Sequence, residues 1–249
     1  MKRTIIIGDI HGCLAELREL LARVDFQSNR DTLIFLGDYL DRGPDSLGTL
    51  TAVRELVEHQ GAVALLGNHD EKYLRWHRWQ TNPPPPGSKP MDFSQENLCI
   101  YGQLSAAHLA WLTERPYFHK ADGFIAVHAG ISPLRHKTIE DLTRSRDRRD
   151  LLLRIRKVDD QGIALKLGEA HPPTARPWWQ EYDGRFGVAF YGHQHMPTVI
   201  RGPFSVGLDT GCCYGGYLTA AVFTQLADIA FYSVKARSAY YQDGAGEED

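Results

Sequence analysis

Three times between Thr4 and Thr81 a short apolar run ends in a glycine-bearing loop and gives way to a helical repeat, and this rhythm most narrows the folds open to the chain. Thr4 to Ile7 is a β-branched run closed by Gly8, and Leu14, Leu17, Leu21 and Val24 follow at helical spacing. Thr32 to Leu36 leads through the loop Gly37 to Pro44 into a helix expected over Ser46 to Gln60, with Ser46 as its N-cap. Ala62 to Leu66, the loop Gly67 to Asp70 and a helix from Glu71 onward make the third copy. Strands alternating with helices predict a parallel sheet covered by helices, and such sheets bind ligands beyond the carboxyl ends of their strands.

The second half reads differently. A helix is expected over Ser105 to Leu112, a strand over Gly123 to Val127 ending at His128-Ala129-Gly130, and another over Gly187 to Tyr191 leading into Gly192-His193-Gln194-His195. Leu151 to Leu167 carries apolar arms around Asp159-Asp160-Gln161-Gly162, a hairpin signal. Strands over Phe204 to Leu208 and Tyr217 to Thr224 are expected to pair with one near Ile229 to Val234. Pro83 to Pro86 keep the segment Asn82 to Pro90 out of helix and internal strand, so it reads as a stiff exposed loop in preference to an SH3-type ligand. One domain is expected over residues 1–241, with a disordered acidic tail over 242–249.

Composition sets outer limits. At 249 residues with 43% apolar content the chain can bury a large core, and a net charge of -3 gives no footprint for strong nonspecific nucleic-acid binding. A phosphorylated small molecule or phosphopeptide suits that charge equally well. Cys13, Cys99, Cys212 and Cys213 show no CxxC spacing, and adjacent cysteines rarely bridge, so a reduced cytoplasmic protein is expected. Met1-Lys2-Arg3 precedes an apolar run of only Thr4 to Ile7, too short for a signal sequence or a membrane span.

Chemistry-bearing side chains fall in five loops, each after an apolar strand: Asp9 and His11; Asp38, Asp41 and Arg42; Asn68 and His69; His128; and His193. If the strands share one sheet, these groups meet at one edge. Asp9 and His11 are two apart, so an extended backbone points both the same way, toward one ion. Asn68, His128 and His193 would hold a second, with Asp38 bridging the pair. This is a two-metal clamp, in which a bridging water is deprotonated for in-line attack on phosphorus. Imidazoles argue against a purely Mg²⁺ or Ca²⁺ site; Mn²⁺, Fe and Zn²⁺ stay open, with Mn²⁺ favoured. Each residue alone has an ordinary explanation as a helix cap or a surface histidine. Caps do not require Asp-x-His, Asn-His and two further glycine- or alanine-flanked histidines together.

Gly8-Asp9-Ile10-His11-Gly12, Gly37-Asp38-Tyr39-Leu40-Asp41-Arg42-Gly43, Gly67-Asn68-His69-Asp70, His128-Ala129-Gly130 and Gly192-His193 resemble the signature set of the calcineurin-like metallophosphoesterases, in the branch of the PPP-type protein phosphatases. The resemblance runs from about residue 4 to 224. It implies an α/β fold, a four-layer sandwich of two mixed β-sheets flanked by helices, and the ligand set above. It further implies that His69 is the general acid, that Asp41 is its carboxylate partner, and that Arg42 binds phosphate through its fork.

The substrate is less narrowly marked. Leu208 to Thr219, with Asp209-Thr210-Gly211-Cys212-Cys213-Tyr214-Gly215-Gly216, is similar to a segment of the symmetrical diadenosine tetraphosphatases, and Gly67-Asn68-His69-Asp70 leans the same way. Asp41 departs from that group, many of whose members lack this acid, whereas protein phosphatases and polynucleotide-end phosphatases keep it. Arg154 and Arg156 resemble an Arg-x-Arg element of the tetraphosphatases and would join Arg42 and Asn68 in holding substrate. The bland alternative makes Arg144 to Lys157 a solvated charged face. Trp178, Trp179 and Tyr182 either stack a base or pack a loop onto the core. Asp209 is placed to orient a ligand histidine, and His195 is a spare ligand or rim. The readings are therefore a nucleoside polyphosphate hydrolase first, a Ser/Thr protein phosphatase second, and then a polynucleotide-end phosphatase or an idle phospho-binding module.

Overall fold

The structure, a computed structural model, describes residues 2–85, 87–166 and 170–242. The first run of elements is β1 (Arg3–Ile7), α1 (Leu14–Arg23), β2 (Asp31–Phe35), α2 (Ser46–Gln60), β3 (Val63–Ala64) and α3 (Asn68–Thr81). Then come α4 (Gln95–Gln103), α5 (Ala106–Thr113), β4 (Phe118–Ala121), β5 (Phe124–Val127), α6 (Ile139–Thr143) and α7 (Arg146–Arg154). The chain continues with β6 (Lys157–Val158), β7 (Arg176–Pro177), α8 (Trp178–Glu181), β8 (Val188–Tyr191), β9 (Ile200–Gly202), β10 (Ser205–Gly207), β11 (Asp209–Thr210), β12 (Tyr217–Phe223) and β13 (Ala230–Lys235).

These strands make two mixed sheets. In the first, β1, β2 and β3 run parallel, β12 lies antiparallel to β1, and β11 and β13 pair with β12. The second has the order β4-β5-β8-β10-β9, with β5, β8 and β10 parallel. Alternation along each strand sets the layers. Ile5, Ile7, Leu33 and Phe35 face Leu17 and Leu20 of α1 and Leu50 and Val53 of α2. Ile6, Ile34 and Leu36 leave the opposite face and meet Phe124, Ala126 and Phe190 between the sheets. Ile125, Val127 and Ala189 turn outward again onto Leu152 of α7 and Trp178 of α8. The result is helix, sheet, sheet, helix, the four-layer sandwich. Each such aliphatic side chain, fully buried, contributes about 1.5–3 kcal/mol of transfer free energy.

Several expectations need correction. Asp45, not Ser46, caps α2, its carboxylate accepting from Gly48 N at 2.8 Å, while Ser46 Oγ accepts from Asp41 N at 3.0 Å. α3 begins at Asn68, three residues before Glu71, so Asn68 and His69 sit on its first turn. Arg154 ends α7 and is not on a hairpin arm; the turn at Asp159 is real, with Asp159 N donating to Ile163 O at 2.9 Å. β10 joins the second sheet and does not pair with β12 or β13. β4 and β9 carry too little alternation to be seen in the sequence. The proline-rich segment is exposed at Pro83, Pro85 and Gly87; Pro86, the arm end Leu167 and the tail from 243 onward lie outside the described residues. Among the described residues no helix is long and apolar enough to cross a membrane.

His136 shows how polar groups are accommodated inside the second helical layer. It is wholly buried, its Nδ1 accepting from Ser132 N at 3.1 Å and its Nε2 donating to Arg148 O at 3.1 Å, so the neutral ring is satisfied at both nitrogens. Burial, with the nearby Arg148 charge, pushes its pKa down to about 4, against the partial offset of the hydrogen bond to Arg148 O and of the Asp141 charge. A histidine held below its unfolded value stabilises fully above about pH 6.5 and loses that contribution as pH falls toward about 4. In urea titrations with chelator present, the wild type should lose about 2–3 kcal/mol more than His136→Asn between about pH 7 and pH 4.

Candidate active site

The two sheets bring the five loops together end to end. Asp9 follows β1, Asp38 follows β2, Asn68 and His69 follow β3, and His128 and His193 follow β5 and β8 of the other sheet. The convergence is therefore not at one sheet's edge; it lies where the carboxyl ends of both sheets meet.

The backbone here is strained and braced. Among the described residues, five of the six non-glycine residues with left-handed φ are in this site: His11 (46°), Asp38 (53°), Asp41 (73°), Arg42 (69°) and His193 (70°). Each such residue costs on the order of 1 kcal/mol or more and persists only where its surroundings hold it. Asp70 does much of the holding, accepting from Gly67 N (3.0 Å), Asp38 N (2.9 Å) and Tyr39 N (3.0 Å). Gly67 and Gly192 are required for another reason, since a Cβ on either would strike a carboxylate oxygen, of Asp38 and Asp9 respectively.

The polar atoms at the centre are short of protons. His128 Nδ1 donates to Leu36 O at 2.9 Å, which leaves the lone pair of Nε2 facing Asn68 Oδ1 at 2.8 Å and Asp38 Oδ2 at 3.4 Å. His11 Nδ1 likewise donates to Leu40 O at 3.0 Å, turning Nε2 toward Asp38 Oδ2 at 3.5 Å. Burial pushes both imidazoles down, His11 to about 3, and His193 well below its ordinary value, so all three are neutral donors at pH 7. His193 Nδ1 is 2.8 Å from Asn68 Oδ1, and its backbone N donates to Asp9 Oδ2 at 2.7 Å. Asp9 Oδ1 is buried without a partner, and burial together with the charges of Asp209 and Asp38 pushes this carboxyl well above the usual range. Acceptors facing acceptors in a buried place are stable only with cations among them. The donor atoms of Asp9, Asp38 and His128 lie within 4.8 Å of one another, as do those of His11, Asp38 and His69. Neutral imidazole with carboxylate is a donor set for divalent transition ions.

Asp41 stands one step back. Its Oδ2 accepts from His69 Nδ1 at 2.6 Å and pairs with Lys72 Nζ at 2.7 Å, while Oδ1 takes Asn97 Nδ2 at 2.9 Å and the Tyr73 hydroxyl. Burial alone would push this carboxyl up; the His69 hydrogen bond and the Lys72 charge outweigh it and hold it well below the usual range. Arg42 Nη1 lies 3.4 Å from His11 Nε2, at the mouth of the donor cluster. Lys72, Tyr73 and Asn97 are absent from the sequence reading. Lys72 stands at i+3 from His69, one helix face, and was legible in principle; Asn97 arrives from a distant helix with no local signal.

Other expected residues lie farther out. Arg156 Nε donates to His193 Nε2 at 3.3 Å, whereas Arg154 turns to Glu71 Oε2 at 2.7 Å, so the two are not one clamp. Trp178, Trp179 and Tyr182 are buried against Tyr191 and Phe186, which leaves them no face for a base. Asp209 Oδ1 accepts from Gly211 N at 3.0 Å and, among the described residues, makes no hydrogen bond to a ligand histidine. His195 is exposed.

Residues 2–197 match the family model of the calcineurin-like phosphoesterases. The chain belongs to that family. Its metallophosphoesterase relatives include the asymmetrical bis(5'-nucleosyl)-tetraphosphatase PrpE of Oceanobacillus iheyensis, 31% identical over 94% of this chain and 93% of that one. The symmetrical bis(5'-nucleosyl)-tetraphosphatase of Edwardsiella ictaluri is 29% identical over 95% and 97%. A solved structure provisionally described as a diadenosine tetraphosphatase superposes with a TM-score of 0.72 at 28% identity, covering 94% of each chain. A calcineurin-like phosphoesterase is a metal-dependent phosphohydrolase, and the neutral imidazoles and buried carboxyl groups above present the donor chemistry for its divalent ions. Adding Mn²⁺ at about 100 times its Kd to chelator-stripped protein should raise the melting temperature by roughly 5–10 °C, and Asp38→Asn should abolish that shift.

Proposed function

We propose that this metallophosphoesterase hydrolyses dinucleoside polyphosphates of the diadenosine tetraphosphate type. What supports this most is the near full-length similarity, at 29–31% identity, to tetraphosphatases of both cleavage types. Asp9, His11, Asp38, Asn68, His128 and His193 would hold two ions, Mn²⁺ by preference with Fe or Zn²⁺ as the other occupants. When bound, such ions neutralise charge on the phosphoryl oxygens and make water a better nucleophile.

The chain's own groups then divide the remaining work. Arg42, beside His11, offers a planar fork to two phosphoryl oxygens. His69 keeps its Nδ1 proton on Asp41 and gives a proton from the other nitrogen to the leaving oxygen. Asp41, held ionised by His69 and Lys72, favours the charged ring that this requires. Arg156, beside His193, and Arg154, once released from Glu71, carry the trailing phosphates.

A departing polyphosphate is stable as an anion, whereas a departing serine alkoxide is not, so the acid matters less for an anhydride than for an ester. His69→Ala should therefore keep its metal content, lose roughly 10²- to 10⁴-fold on alkyl phosphates, and lose less on the dinucleotide. Asp38→Ala should lose metal; equal metal loss in both variants would make His69 a ligand and not an acid. Rates with Mn²⁺ on diadenosine tetraphosphate, a phosphothreonine peptide and a 3'-phosphorylated oligonucleotide decide the substrate. The dinucleotide should be fastest, and turnover of the peptide alone would overturn the proposal in favour of a protein phosphatase.

A further inference from the structure

Beside Arg42 lies a cluster of rings that the chemistry above does not use. The Arg42 guanidinium carbon is 5.5 Å from the ring centroids of both Tyr214 and Tyr241. His195 stacks on Tyr214 at 4.3 Å with 30° between planes, and Tyr241 meets Tyr214 edge-on at 5.9 Å. Unlike Trp178, Trp179 and Tyr182, these rings are within reach of solvent: Tyr214 and Tyr241 are half-buried and His195 is exposed.

We propose that His195, Tyr214 and Tyr241 are a stacking platform for the nucleobase of a nucleotide whose phosphate is held by Arg42. The inference rests on the nucleotide reading of the site and adds where the base is held. The three rings come from separate segments: the loop carrying His193, the turn between β11 and β12, and the end of the described chain. That last segment is tied down for the purpose. The Tyr240 and Tyr241 amides donate to Cys213 O at 2.8 and 2.9 Å, Tyr240 Oη donates to the buried Glu16 at 2.7 Å, and Ala239 bridges to Tyr214. One guanidinium thus touches the donor cluster through His11 and the rings through its other surroundings, so a phosphate on Arg42 has its ribose and base directed over aromatic faces. Stacking on rings accepts any base, since every base offers a π-face, so the platform favours nucleotides over base-free phosphates without selecting adenine.

The competing explanation is that the tyrosines only position Arg42, and base-free ligands separate the two. Binding of AMP and of ribose 5-phosphate to the Mn²⁺-loaded protein is measured by calorimetry, alongside KM and kcat for diadenosine tetraphosphate and inorganic tripolyphosphate. Tyr214→Leu should weaken AMP and raise the dinucleotide KM roughly tenfold, with ribose 5-phosphate and tripolyphosphate changed less than about twofold, and Tyr214→Trp should restore AMP binding. Tyr241→Leu should act in the same direction. Parallel weakening of AMP and ribose 5-phosphate, or equal affinity of the wild type for both, would overturn the platform. Tight AMP binding by a wild type that leaves dinucleotides uncut would instead refute the substrate reading while leaving the platform standing.

Discussion

Everything at the centre of this protein depends on the burial of carboxylates close to one another. Asp9, Asp38, Asp41, Asp70 and Asp209 are all removed from water at the junction of the two sheets. A buried ionised carboxylate without compensation is among the most expensive groups a fold can contain, and several together repel. The chain resolves this in different ways at each position. Asp70 is satisfied by backbone amides, Asp41 by Lys72, Asn97, Tyr73 and His69, and Asp209 by the amide of Gly211. Asp9 and Asp38 each accept one backbone amide, from His193 and His69, and keep a second oxygen, partnerless in Asp9 and beside the neutral rings of His11 and His128 in Asp38, that a cation would complete.

The fold supplies rigidity where that concentration of charge and strain needs it. Left-handed backbone at His11, Asp38, Asp41, Arg42 and His193 is held by strands buried on both faces, whose ends cannot drift because Ile6, Ile34 and Phe190 lock the sheets together immediately behind. Asp70 ties the loop after β2 to the first turn of α3. A site assembled from the ends of rigid strands keeps its donors within tenths of an ångström, which a site on free loops does not. The same economy governs Asp41: a carboxylate that would otherwise be pushed up by burial is kept ionised by the His69 hydrogen bond and the Lys72 charge, both from α3.

The parts of this structure legible in the sequence are those governed by local rules. The strand-loop-helix rhythm of Thr4 to Thr81 marks β1 to α3 within a few residues, because β-branched runs and helical spacing are local signals. The donor residues stand out because Asp-x-His, Asn-His and glycine-flanked histidines follow strands. Where two local readings competed the sequence misled. Ser46 and Asp45 both suit an N-cap, and only the geometry at Gly48 chooses Asp45. Phe204 to Leu208 carries a strand signal but no address, and pairing with β8 places it in the other sheet. Trp178, Trp179 and Tyr182 look alike on paper as base stackers or as core, and burial against Tyr191 decides for core.

Residue type and spacing along a few residues marked the candidates for chemistry, Asp9, His11, Asp38, Asn68, His69, His128 and His193, and most of the segments that become strand or helix. Tertiary structure decided which of those side chains share one space. It set the meeting of two sheets in place of one edge, the surrounding of Asp41 by Lys72, Tyr73 and Asn97, the parting of Arg154 from Arg156, and the return of Tyr241 to Arg42. The physical reason is that burial and electrostatics act through distance in space: a carboxylate's neighbours, its protonation and its partners depend on groups far away in the chain, and no local pattern records them.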